Sequence, residues 1–89
     1  MEKISQQDAE NIGNTLTIPW DKISLEEFTL GMNVEMEHGT RYSETNVTGD
    51  DPLLTGKIAW AHLKEFPDYY TRLLKLEKEA DEFWQNKQQ

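Results

Sequence analysis

Residues 24–39 read SLEEFTLGMNVEMEHG, and this stretch decides the fold class. Ser24 and Glu27 have the S-x-x-E spacing of a capping box, which marks the start of a helix. Gly39 is a typical residue just past a helix end. Apolar residues between them recur at i, i+3, i+7 and i+11, the spacing of one helical face, namely Leu25, Phe28, Met32 and Met36. The pattern predicts a helix over residues 24–38.

Further helices are predicted on both sides of this one. A Ser-x-x-Asp pattern indicates the start of a short helix over residues 5–16. Asp51 and Pro52 are a typical N-cap and first helical residue, and they open a helix over residues 51–65. A proline break then separates this helix from a fourth, over residues 67–85.

The remaining long segment, residues 39–51, is polar and is predicted to be a loop. Loops of this length are uncommon in compact domains and are often functional. The β-branched residues do not alternate, so no strand is expected. We therefore expect an all-α fold, a compact bundle of three main helices plus a short N-terminal helix, as a single domain over residues 1–89.

Composition limits the classes of function. The chain has 89 residues, no cysteine and a net charge of −8, from 17 acidic and nine basic residues. This charge disfavours direct binding to phosphate backbones and suits a cation or a basic protein partner. No apolar run is long enough to span a bilayer, and the polar N-terminus does not resemble a signal peptide, so we expect no membrane association and a cytoplasmic location.

The informative polar residues lie where a helical projection places apolar side chains. Glu35 falls within the stripe of the second helix, and His38 lies at its border. Glu65 falls near the centre of the stripe of the third helix that contains Leu54, Ile58 and Ala61, with His62 on its flank. On the fourth helix, Glu77 projects to the side with Leu73, Leu76, Phe83 and Trp84, which is predicted to be buried.

These residues suggest a metal site. A buried carboxylate must be neutralised, hydrogen-bonded, ion-paired or metal-bound. Glu-x-x-His pairs on facing helices are used by carboxylate-bridged metal sites, and this ligand set suits Zn, Fe or Mn. Tyr69 and Tyr70 would begin the fourth helix beside the cluster and could bond a carboxylate or a bound water. The competing interpretation is a structural polar network or ordinary helix-surface pairs, with both tyrosines in core or rim packing.

One geometric condition accompanies this hypothesis. Both Glu/His pairs lie at the C-terminal ends of their helices, so antiparallel neighbours would hold them at opposite ends. For one shared site, the loop over residues 39–51 would have to run back along the third helix. A loop of 13 residues is long enough to do so.

Two segments carry a family resemblance. Residues 31–40, GMNVEMEHGT, and residues 50–70, DDPLLTGKIAWAHLKEFPDYY, resemble the signatures of an uncharacterised family of short bacterial and phage proteins, a domain of unknown function. The resemblance spans roughly Ile12 to Asp81. It implies a helical domain with a phage or prophage connection, and it implies no activity.

Three classes of function follow. The first is a small helical binding domain whose Glu/His cluster binds a metal ion or a small ligand. The second is an acidic interaction protein of phage or prophage type, an accessory or antagonist subunit that docks on a basic partner. An enzyme is the weakest hypothesis, because the sequence contains no nucleophile–base pair, phosphate loop or dinucleotide fingerprint.

Overall fold

A computed structural model describes residues 3–41, 44 and 51–87, apart from the side chains of residues 38–41 and 87. The expected all-α class is confirmed, because every regular element in this part of the chain is a helix. The helices are α1 (Gln6–Leu16), α2 (Leu25–Arg41), α3 (Pro52–Glu65) and α4 (Tyr69–Lys87). No helix in this part of the chain combines the length and the apolarity that a bilayer crossing requires.

The predicted helix starts are confirmed by their caps. The side-chain oxygens of Ser5, Ser24 and Asp51 each accept a hydrogen bond from the backbone N–H three residues further on, at 3.1, 3.0 and 3.2 Å. Each bond satisfies one of the N–H groups that a helix leaves without an internal partner. The sequence signals for these starts are local, which is why they could be read correctly.

Three predicted boundaries are wrong, one of them the end of α4, which was expected at residue 85 and lies at Lys87. Helix α2 does not stop before Gly39 but continues to Arg41, because a glycine inside a helix costs only about 1 kcal/mol and does not force a turn. Helix α4 begins at Tyr69, since Pro67 lies in the turn that precedes it. Most of the predicted loop, residues 42–43 and 45–50, lies outside the described residues.

The core forms around α2, which contacts each of the other three helices. Phe28 and Met32 are its fully buried residues, and they pack with Ala9 of α1 and with Leu63 of α3. Burial of large apolar side chains such as these stabilises the fold by about 1.5–3 kcal/mol each. The first turn of α4 adds one more fully buried side chain, that of Tyr70.

Helix α3 buries a different face from the predicted one. Its buried residues are Thr55, Gly56, Ala59 and Leu63. Leu54 is 44% exposed and Ala61 is also exposed, so the stripe that contains them does not face the core. The sequence showed two apolar sides on this helix, and only contact with α1 and α2 determines which of them is covered.

Helix α4 packs only through its beginning. Beyond Tyr70 none of its described side chains is buried, and the molecule is elongated, 47 × 27 × 20 Å. The prediction that its apolar face is buried is therefore wrong. Leu76, Phe83 and Trp84 are 59%, 51% and 62% exposed.

Candidate functional site

Side chains from three helices meet at the carboxylate of Glu35 on α2. The hydroxyl of Tyr70 donates a hydrogen bond to Glu35 Oε2 at 2.7 Å. His62 Nε2 of α3 lies 3.8 Å from the same oxygen. The ring of His62 is stacked on that of Tyr69, with centroids 4.4 Å apart and an interplanar angle of 13°. We call these four residues the Glu35 cluster.

The crossing of α2 and α3 brings Glu35 and His62 together. The hydroxyl of Thr55 lies 3.3 Å from the sulfur of Met36. The preceding residue, Glu35, is instead close to His62, about two turns further along α3. Neighbouring residues of α2 therefore contact positions about two turns apart on α3. The path predicted for residues 39–51 falls mostly on residues 42–43 and 45–50, which lie outside the described residues.

Gly31 brings α4 close enough to α2 for the cluster to form. A Cβ atom at this position would lie 2.4 Å from Cε2 and 2.6 Å from Cδ2 of Tyr70, so the tyrosine ring rests directly on the α2 backbone. Glu35 lies one helical turn further along the same face and receives the hydroxyl. The sequence signal was a glycine inside a helical pattern, which often has a packing reason.

The hydroxyl of Tyr70 is a permanent hydrogen-bond donor. Its side chain is fully buried, and this burial, followed by the hydrogen bond to Glu35, raises the pKa of Tyr70 well above the ordinary value of about 10. The hydroxyl therefore stays protonated at every physiological pH. It holds one oxygen of a carboxylate whose side chain is only 15% exposed.

His62 occupies an intermediate environment. Its side chain is 34% exposed, but its Nδ1 atom is buried and has no hydrogen-bond partner in the described part of the chain. The distance from Nε2 to Glu35 is too long for a hydrogen bond. Because a carboxylate only accepts, this geometry favours the tautomer with the proton on Nε2. In this tautomer the pair serves as a polar contact, and it can supply two ligands for a cation once the Nε2 proton has moved to Nδ1.

The remaining predicted ligands do not join the cluster in the described structure. Glu65 is exposed at the end of α3, on the helix side that the core does not cover. Glu77 is partly buried on α4, and the side chain of His38 lies outside the described residues. Over the residues that the structure describes, no group of three or more His, Cys, Asp or Glu side chains is arranged to hold a metal ion.

Sequence reasoning missed a second link between α2 and α4. Glu27 was predicted to complete the capping box of its own helix. Its carboxylate instead accepts hydrogen bonds from the backbone N–H of Thr71 at 2.9 Å and from the hydroxyl of Thr71 at 2.6 Å. A carboxylate at the N-terminus of a helix also interacts favourably with the helix dipole. The hydrogen bonds from Thr71 to Glu27, together with the hydrogen bond from Tyr70 to Glu35, fix the first turn of α4 on α2.

These observations define a small all-helical domain with a partly buried carboxylate–tyrosine–histidine cluster where three helices meet. The sequence profile of a family described as "Protein of unknown function (DUF5661)" matches residues 9–79. The chain belongs to this family, which confirms the resemblance to a domain of unknown function. No curated protein and no solved structure matches the chain.

Proposed function

We propose that this chain is a protein-binding domain that presents one side of α4 to a basic helical partner. The observation that carries the proposal is the exposure of Leu76, Phe83 and Trp84 on a helix that projects from the bundle. Large apolar side chains that cluster on a surface typically mark interaction sites. We call the apolar side of this helix the α4 strip, formed by Leu73, Leu76, Ala80, Phe83 and Trp84.

The projecting part of α4 lacks the packing that ordinarily stabilises a helix. From Leu74 to Asn86, Glu77 is the only residue that is even partly buried. Isolated helices shorter than about 12–15 residues are marginal in water, and most helical stability in proteins comes from packing of an apolar face. A surface that covers the α4 strip would supply this packing.

The spacing of the strip fits a helical partner. Leu73, Leu76, Ala80 and Phe83 are separated by three, four and three residues, which is the alternation of coiled-coil a and d positions. Side chains in this arrangement form a narrow seam along one side of a helix. A second helix laid along the seam is the partner that such a pattern favours.

Charge favours a basic partner over a second copy of the chain. Residues 77–84, EKEADEFW, contain four acidic residues and one lysine. A second copy would bring the same acidic stretch and a net charge of −8 to the interface. A partner with a basic rim around an apolar seam would complement both features.

Binding to designed peptides tests the proposal. One peptide is an amphipathic helix with leucine at a and d positions and lysine elsewhere, and its matched control carries glutamate in place of lysine. We expect calorimetry to show saturable binding of the lysine peptide alone. The substitution Trp84→Ala should weaken this binding about tenfold or more, as loss of a large aromatic anchor does.

The controls separate specific docking from attraction to an acidic protein. Leu54→Ala removes a leucine of similar exposure on α3 and should change the affinity less than twofold. Equal binding of both peptides would refute the charge argument, and an unchanged affinity of Trp84→Ala would refute the site. A dimer in sedimentation experiments that Trp84→Ala dissociates would assign the strip to a second copy instead.

Metal binding is a second candidate function, and the proximity of Glu35 and His62 supports it. His62 Nε2 and Glu35 Oε2 are 3.8 Å apart, close to the separation of two ligands on one first-row metal ion. A further ligand would have to come from His38 or from water. Zn, Fe and Mn remain the ions that this donor set suits.

Thermal unfolding with added metal tests this candidate. A bound ion at a hundredfold excess over its Kd is expected to raise the free energy of unfolding by about 2–3 kcal/mol. His62→Ala and Glu35→Gln should abolish the increase, whereas Glu65→Gln, at an exposed position on α3, should retain it. If Zn²⁺, Mn²⁺ and Fe²⁺ all leave the unfolding temperature unchanged, the cluster is a structural polar network.

A further inference from the structure

An open pocket of about 300 Å³ lies between the α1–α2 connector and α3. Trp60 and Leu63 of α3 and Ile23 of the connector line it, together with Pro19, Pro67, Lys22 and Lys64. Its volume is at the lower end of the range for small-molecule sites. No α4 residue lines the pocket, so it is independent of the α4 strip.

The apolar lining rests on the core of the domain. Leu63 and Ile23 are 1% and 5% exposed, so their positions are fixed by the packing of α3 against the rest of the bundle. Trp60 is partly exposed beside them and offers a flat aromatic surface. The ammonium of Lys64 lies 4.3 Å from the centroid of the Trp60 ring, a cation–π contact that holds this charge at the pocket.

The charge of the pocket is opposite to that of the chain. Among the described residues that line it, Lys22 and Lys64 are cationic and none is acidic. In the whole chain, acidic residues outnumber basic residues 17 to nine. A mainly apolar recess whose described lining includes two lysines and no acidic residue complements a ligand that has an apolar body and a negative group.

We infer that this pocket binds a small amphipathic anion, with a flat apolar body against Trp60 and Pro67 and a carboxylate near Lys22 and Lys64. The two lysines select the sign of the ligand charge, and the apolar lining supplies the contact area. The volume matches a compact one- or two-ring molecule better than a folded partner. This activity is separate from docking through the α4 strip.

Nuclear magnetic resonance titration of the intact chain with 2-naphthoate tests the inference. We expect saturable shifts of the Trp60 indole N–H and of the Leu63 methyl groups. The neutral matched probe 2-naphthamide should bind about tenfold more weakly. Fluorescence is a poorer readout here because the chain contains three tryptophans.

Substitution of the two pocket lysines tests whether naphthoate binds in this pocket. Lys22→Gln and Lys64→Gln should each weaken naphthoate binding about threefold, and the double variant about tenfold, as expected for exposed ion pairs. Lys57→Gln is the matched control, since Lys57 is an exposed lysine of α3 that does not line the pocket, and its affinity should be unchanged.

Three results would overturn the inference. Equal affinities for naphthoate and naphthamide would show that the ligand charge does not contribute to binding. The absence of saturable shifts would show that the pocket does not bind naphthoate. An acetylated peptide with adjacent phenylalanine and aspartate is the third probe. If it shifts the Trp60 indole while naphthoate does not, the occupant is a protein segment and the assignment to a small molecule is wrong.

Discussion

Replacing Gly31 with alanine is expected to destabilise the chain by about 2–3 kcal/mol, the cost of overpacking a fixed site. The added methyl would lie 2.4 Å from the ring of Tyr70, and that ring is fully buried and cannot move aside. At an ordinary helical position the same change would stabilise the helix by about 1 kcal/mol. We expect the unfolding temperature to fall by about 10–20 °C in calorimetry.

A double-mutant cycle with Tyr70→Leu provides the control. If the ring causes the loss, Gly31→Ala should cost much less in the Tyr70→Leu background, because the two residues are in direct contact. A rise in unfolding temperature on Gly31→Ala alone would contradict the packing of α4 on α2 at this position.

Tyr70→Phe is expected to cost about 2 kcal/mol at neutral pH, or about 10 °C in unfolding temperature. The change keeps the ring but removes the hydroxyl that donates to Glu35 Oε2. The Glu35 carboxylate would lose this hydrogen bond but would remain largely shielded from water, so the free-energy cost of its burial would no longer be offset. Phenylalanine in place of Tyr69, whose hydroxyl makes no described hydrogen bond to Glu35, should cost much less and serves as the matched control.

The pH dependence of stability isolates the same hydroxyl. Burial raises the pKa of Tyr70 above its value in the unfolded chain, which is about 10. The folded state therefore keeps a proton that the unfolded state releases, so this contribution is fully present below about pH 10 and is lost as the pH rises further. Above this pH, Tyr70 should lower the free energy of unfolding by about 1.4 kcal/mol per pH unit. If the free energy of unfolding falls equally steeply with pH above about 10 in wild type and in Tyr70→Phe, the claim that the Tyr70 hydroxyl is buried and protonated is contradicted.

Features that depend on a few neighbouring residues were predictable from the sequence. The starts at Ser5, Ser24 and Asp51 were found because each N-cap signal lies within one turn of its helix. The stop at Gly39 was wrong because glycine permits a helix end without requiring one. Glu27 has the spacing of a capping box, and its carboxylate nevertheless binds Thr71 of another helix.

The candidate site was predictable in its members but not in its geometry. Glu35 was identified as a polar residue within an apolar stripe, and the structure places it with His62 and Tyr70. Their meeting depends on the crossing of α2 and α3, which no local pattern encodes. Glu65 is exposed rather than directed at the core, because α3 has two apolar sides and the projection selected the one that the core leaves uncovered.

Periodicity also cannot reveal what covers an apolar face. The spacing of Leu76, Phe83 and Trp84 predicts a face that packs against something, and the natural expectation was the core of the same chain. The core draws only on the beginning of α4 among the described residues, with Tyr70 in the core and Tyr69 and Leu73 packed against it, so it does not cover Leu76, Phe83 or Trp84. The α4 strip is proposed as a partner surface because its apolar spacing predicts packing that the core of this chain does not supply.

Backbone hydrogen exchange over residues 74–86 tests the central claim most directly. The free chain should exchange these amides far faster than those around Met32 in the core, at every protein concentration. Addition of the lysine-bearing helical peptide should slow exchange in this segment of wild type and not of Trp84→Ala. The claim is contradicted if the segment is already as protected as the core in the free chain, or if the peptide protects a different surface.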